Sequence, residues 1–224
     1  MPRLSRLVPF QVALPLLLPL MLVAQTQSIE VTMERNQKGG WSAIDPGLVL
    51  DPGDLLRFRF RTTFDGYLYV IDSGTSGAQT LLFPGDATGR SNRVLAGKEY
   101  FVPSTGASFR VAGPAGHDVI YWLLSPVPLG GNPVAALGAQ SAHPAGKLTP
   151  RCDDSIFRAR GLCIDSSAGP RNVAPQEDLP GSISAVPQMT RRELVIVQDQ
   201  NKSRVISPSA LTGPVIYEFR VSHK

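Results

Sequence analysis

Three arginines recur at every second position from residue 57 to 61, and no other grouping in the chain carries sharper chemistry. Side chains two apart on a strand share a face, which would line up Arg57, Arg59 and Arg61 about 7 Å apart. Planar guanidinium forks in such a row suit the phosphate or carboxylate groups of an anionic polymer. The simpler reading is a solvated sheet face. Its cations would pair with acidic side chains on neighbouring strands, such as Glu99 or Glu218, each pair worth at most about 1 kcal/mol. The three arginines are the ligand-binding candidates, and the sequence favours the solvated face.

The remaining groupings are weaker. His117, His143 and His223 fall in a turn, in a Pro/Gly-rich stretch and next to the C-terminus. None stands at a telling spacing from a carboxylate or nucleophile, and all three are expected on the surface. No G-x-S-x-G nucleophile elbow occurs, and GTSG at residues 74–77 is not one. No catalytic residue is assigned, and the chain is expected not to be an enzyme. A hydrolase would need a cleft that brings His117 or His143 beside a Ser and an Asp. Asp65, Asp72 and Asp86 are loop carboxylates of the kind calcium uses, but they match no EF-hand, and turns select Asp for conformational reasons. With no P-loop, dinucleotide-binding Gly pattern or CxxC pair, no metal and no cofactor is expected.

Cys152 and Cys163 are the two cysteines of the chain. A disulfide between them would constrain the unfolded chain by roughly 2 to 3 kcal/mol. A metal site needs more ligands than the pair offers, and Asp153, Asp154 and Asp165 add only a weak case. Two free thiols are the alternative.

These residues have to be positioned by strands. DPGD at residues 51–54 is a turn, and in the stretch 55–63 Leu56, Phe58 and Phe60 share the face opposite the arginines. Asp65 and Gly66 form the next turn, so residues 55–63 and 67–72 read as a hairpin. Short strands follow at 78–84, 98–103, 108–113 and 119–124, the last apolar on both faces and therefore central. SIEVTMER at 28–35 reads as an edge strand. Tyr67, Tyr69, Tyr100, Tyr121 and Trp122 are expected mostly in the core. From 125 to 190 apolar periodicity disappears. Asn132 caps one helical turn there, Ser155 to Ile164 suits a short strand, and 166–190 is least able to offset its ordering entropy. Strands return at 193–198 and 215–222.

The fold class is therefore all-β: an antiparallel β-sandwich, immunoglobulin-like or jelly-roll-like, with a long, partly disordered insertion. Residues 1–24 read as a signal peptide, with Arg3 and Arg6 before an almost wholly apolar run and Ala24 at the cleavage point. Prolines at 9, 15 and 19 argue against a membrane anchor. Residues 25–125 are the first part of the sandwich, 126–192 the insertion or linker, and 193–224 the strands that complete it. The chain carries 22 basic and 18 acidic residues and a pI near 9.3. Losing Arg3 and Arg6 nearly balances the mature charge, so no nucleic-acid partner is expected.

Asp65-Gly66-Tyr67-Leu68-Tyr69, Leu81-Leu82-Phe83-Pro84, Asn92 to Gly97, Tyr100, Pro103, Phe109-Arg110-Val111 and Gly113-Pro114 together resemble the bacterial domain of unknown function 4384, over roughly residues 48–125. The resemblance implies an exported or envelope-associated β module with an accessory or sensing role. Relatives often carry peptidase-like, kinase or repeat domains, whereas this chain is expected to carry no attached catalytic domain. The family supplies no activity, so no catalytic residue is carried over. The expectation is an exported, non-enzymatic module, periplasmic, cell-envelope or extracellular, whose partner is an envelope protein or an anionic polymer. A cryptic hydrolase, or a structural envelope component pairing through its sheet edges, is the alternative.

Overall fold

The computed structural model describes residues 26–84, 91–103, 106–129, 149–175, 179, 183, 186, 189–191 and 193–224. The signal expected at 1–24, the helical turn expected at Asn132, His143 and Asp86 lie outside the described residues. In chain order the strands are β1 (Ser28–Gln37), β2 (Gly40–Ala43), β3 (Leu55–Thr62), β4 (Gly66–Ser73), β5 (Gln79–Phe83), β6 (Arg93–Val94), β7 (Glu99–Val102), β8 (Phe109–Arg110) and β9 (Gly116–Ser125). A helix, α1 (Asp154–Arg160), precedes β10 (Gly169–Asn172), β11 (Val195–Asp199), β12 (Lys202–Ile206) and β13 (Val215–His223). Two antiparallel sheets pack face to face. Sheet one runs β11-β12-β1-β3-β7, with β2 on β1 and β8 on β3; sheet two runs β10-β13-β9-β4-β5, with β6 on β4.

The alternation read from residues 55–63 is realised in β3. Leu56, Phe58 and Phe60 are fully buried, and Ile29, Val31 and Met33 of β1 join them. β1 is not an edge strand. β12, whose sequence KSRVI contributes only Val205 to the core, pairs with its other side and moves the edge outward to β11.

The hairpin expected from residues 55–63 and 67–72 does not form. β3 belongs to sheet one and β4 to sheet two, so the chain crosses over the end of the core at Phe64 to Gly66. Gly66 is needed at this crossing. A Cβ there would lie 2.6 Å from the Ser125 carbonyl oxygen and 2.9 Å from the Phe64 ring. Backbone oxygen cannot swing aside as a flexible side chain would.

Between the sheets lies an aromatic cluster. Trp122 meets Phe58 and Phe60 edge-on at 5.7 and 5.5 Å and stacks on Tyr217 at 5.9 Å. Such pairs add roughly 0.5 to 1.5 kcal/mol each to the area they bury. Tyr121 and Trp122 are buried, whereas Tyr67, Tyr69 and Tyr100 are only half-buried.

Sheet two is covered on both faces, which explains why residues 119–124 of β9 read as a continuous apolar run. Its inner face packs on sheet one. Ile71, Tyr121, Leu123 and Ile216 on its outer face pack with Val173, Leu179, Ile183 and Val186. The stretch 166–190, expected to be least ordered, thus supplies a strand, β10, and these four buried side chains.

Residues 155–164 form no strand either. Asp153 caps α1 by accepting from the Ser155 and Ile156 N–H groups at 2.9 and 3.0 Å. Gly161, at φ 66°, ends it with an N–H to Phe157 O. The Cys152–Cys163 disulfide is formed and brackets this helix. Among the described residues no helix is long and apolar enough to cross a membrane.

Candidate functional site

Strand parity places charged side chains where the core should continue. Leu68 and Val70 of β4 point inward, and Asp72 follows them with the same parity. In β9, Ile120 and Trp122 point inward, and Asp118 is two residues before them. The register sets Asp72 opposite Ile120, and Asp118 opposite Val221 of β13, two residues before His223. Asp72, Asp118 and His223 therefore share the inner face of sheet two at one end of the sandwich.

A cavity of about 150 Å³ opens there. The inner face supplies Asp72, Asp118, Ile120 and Val221, and the β4–β5 loop supplies Gly74, Thr75 and Ser76. Phe109 and Arg110 of β8 close it from sheet one. Asp118 Oδ1 accepts from the Thr75 N–H at 2.8 Å and lies 3.4 Å from Nε2 of the fully buried His223. Asp72 Oδ1 is shut off from solvent with no hydrogen-bond partner. Burial first, and then repulsion from Asp118, pushes the Asp72 carboxyl up to about 7 despite the attraction of His223. Contact with Asp118, opposed by burial, raises the His223 pKa above its ordinary value.

His117, adjacent to Asp118, points to the other face of the sheet. It is buried, not on the surface, and so is His223; strand pairing at this end of β9 and β13 covers both. His117 Nε2 lies 3.0 Å from Asp165 Oδ2 and 3.3 Å from Ser167 Oγ. This is the Ser, His and Asp juxtaposition that a hydrolase would require, but its geometry is not that of a relay. A relay needs the carboxylate on one ring nitrogen and the serine on the other. Here both address Nε2. The carboxylate contact places the proton on that nitrogen, so it cannot accept one from Ser167, whose hydroxyl donates to Asp165 Oδ1 at 2.7 Å.

Asp165 also accepts from the N–H groups of Ser167 and Arg151 and from the Ser222 hydroxyl. Burial alone would raise its carboxyl. The Ser167 hydroxyl, the Ser167 and Arg151 N–H groups and His117 outweigh burial and hold it below the ordinary value. The cluster ties the segment around the disulfide to β9 and β13.

The arginine stripe faces outward on sheet one and is answered by β1. Register sets Arg57 opposite Glu34 and Arg61 opposite Glu30. Glu34, itself buried, accepts from Arg57 Nε at 2.7 Å and Arg59 Nε at 2.8 Å. Arg59 also reaches Glu99 at 3.1 Å, while Arg61 approaches Glu30 at 3.7 Å. Glu218, the other anticipated partner, lies on sheet two and pairs with Arg220 at 2.7 Å. The Arg57 guanidinium lies between the Trp41 and Phe101 rings, 4.3 and 4.4 Å from their centroids. The stripe is a knit surface whose cations are already engaged.

Of the loop carboxylates considered for calcium, Asp65 accepts from the Ala96 N–H at 2.8 Å. Asp72 belongs to the inner cavity. Among the described residues no three His, Cys, Asp or Glu side chains are grouped to hold a metal ion.

Sequence inspection missed Asp118 and Gly74 and expected His223 on the surface. A signal for Asp118 was present, namely a carboxylate at core parity in an otherwise apolar strand. The short signatures from Asp65 to Pro114 fall in order along β4 to β8 and the turns between them. Residues 49–128 match the family of a domain of unknown function, DUF4384. The DUF4384 segment spans β3 to β9 and includes Asp72, Gly74 and Asp118, whereas His223 is outside it. No curated protein and no solved structure matches the chain.

Proposed function

We propose that this chain is an exported, non-enzymatic interaction or sensing module of the bacterial envelope. The observation that carries the reading is the closed Ser167–His117–Asp165 cluster, where catalytic residue types are buried against one another in an order unsuited to proton relay. The open feature at the same end of the sandwich is a small cavity, which suits recognition more than turnover. Export is supported by the basic and apolar pattern of residues 1–24 and by a disulfide of the kind that persists in oxidising compartments.

A second reading has its own observation. β11 is an edge strand whose Val195 and Val197 are 49% and 45% exposed, a surface suited to pairing with another strand.

Immobilised mature chain, challenged with envelope extract and with a hydrolase substrate panel, tests the proposal. The expected result is retention of a specific protein or polysaccharide, unchanged in Ser167→Ala, and no turnover. Retention abolished by Val197→Lys would favour edge pairing. Turnover lost in Ser167→Ala would overturn the non-enzymatic reading.

A further inference from the structure

We propose that the cavity between Asp72 and Asp118 is a binding site for a primary ammonium group on a short alkyl stem. The proposal rests on the reading of the chain as a binding module and names what it recognises.

Both carboxylates border the cavity at Gly74. A Cβ at Gly74 would meet Asp118 Oδ1 at 3.5 Å, the Ala78 carbonyl oxygen at 3.8 Å and Asp72 Oδ2 at 3.9 Å, so the missing side chain keeps the cavity beside the two carboxylates free. A compact ammonium, with three donors pointing apart, suits a point between two carboxylates better than a planar guanidinium does. Asp72 has one oxygen sealed without a hydrogen-bond partner and the other beside Gly74, so its ionised form has the attraction of His223 but, among the described residues, no ion pair of its own, which an ammonium supplies.

The rest of the wall fits a stem. Phe109, Ile120 and Val221 make an apolar floor, and the Thr75, Ser76 and Thr80 side chains stand around it. At about 150 Å³ the cavity is well below the roughly 300 Å³ at which drug-sized pockets begin. It holds a fragment the size of a lysine side chain or a small free amine. Calcium takes 6 to 8 oxygen ligands, typically, and the apolar floor contributes none.

Charged groups face Asp72 from each neighbouring element. Asp118 comes from β9 and His223 from β13, while Arg110 of β8 stands at the wall with its Nη1 donating to Gly53 O at 3.1 Å. Since the Asp72 carboxyl is pushed up to about 7, it becomes a full anion only above neutrality. The ammonium stays charged through this range, so binding strengthens as pH rises and weakens about tenfold per unit below 7.

The test is a ¹⁵N-resolved NMR titration of the full mature chain with n-butylammonium at pH 8 and pH 6, beside n-butanol, calcium chloride and a lysine-containing peptide. Expected are saturable shifts centred on Gly74, Thr75 and Asp118, about tenfold weaker at pH 6 and lost in Asp72→Asn. They should also be lost in Gly74→Val, which fills the cavity without altering its charge. A folded-state spectrum checks both variants. Saturation with the peptide but not the free amine would identify a lysine side chain as the source, and the reverse a free amine. No saturable shift with either, an equal response to n-butanol, or calcium alone acting on these residues would overturn the proposal. Those results would leave the interaction module standing with another surface. Conversion of the amine or peptide to product would refute the module itself.

Discussion

Asp72→Asn should make this protein more stable, by an amount that grows from about pH 4 and levels off above about 7. Asp72 sits at core parity with one oxygen sealed and unpartnered. Its carboxyl is pushed from an ordinary 3.8 up to about 7, chiefly by burial. The folded chain therefore holds this proton more tightly than the unfolded chain. Stability from the site is full below about pH 4, falls as pH rises, and is lost once pH exceeds the folded value. At about 1.4 kcal/mol per unit, a rise of roughly three units corresponds to about 4 kcal/mol. Asparagine resembles the protonated acid and carries no such penalty. The attraction of His223 is already contained in that value, so a gain of about 4 kcal/mol is expected at pH 8. Urea unfolding followed by tryptophan fluorescence from pH 4 to 8 measures it. The variant and parent should coincide near pH 4 and diverge steadily up to about 7. A difference that stays flat with pH, or a variant less stable at pH 8, would refute the reasoning.

Two further substitutions probe the frame. Gly66→Ala should destabilise by about 2 to 3 kcal/mol, because its Cβ would meet the Ser125 carbonyl oxygen at 2.6 Å; thermal unfolding reads the loss, and an unchanged midpoint would contradict the crossing described. Glu34→Ala should cost about 2 to 3 kcal/mol in urea unfolding, since it strips the countercharge from half-buried Arg57 and Arg59, whereas Arg61→Gln should change little; equal effects would show the stripe to be an ordinary solvated face.

The alternation of Leu56, Phe58 and Phe60 against three arginines was legible because one face of β3 is buried and the other is not. β9 was legible as central because both its faces are buried. The assignment of strands to sheets was not. A two-residue turn at Asp65-Gly66 is equally compatible with a hairpin and with a crossing, and a contact with Ser125, 59 residues away, decides it. Leu179, Ile183 and Val186 stand at i, i+4 and i+7, a helical spacing that went unread among the surrounding prolines and glycines, and with Val173 they cover the outer face of sheet two. The cavity was hidden for a related reason. Asp72 resembles an ordinary turn residue until its parity is fixed, and His223 meets Asp118 only through the β9–β13 register. The disulfide was readable because few cysteines leave few choices.

The family match ends at residue 128, but the sheets do not end there. β3 takes its main partner from β1, and β9 takes one of its two from β13, so both lie beside strands outside the matched stretch. Residues 49–128 expressed alone would leave β3 and β9 each with a long unpaired edge and the apolar outer face of β9 bare. The boundary drawn by sequence likeness is thus a cut through hydrogen-bonded pairs in both layers. The stretch that matches the family is, in this chain, joined to its flanks by strand pairs in both sheets.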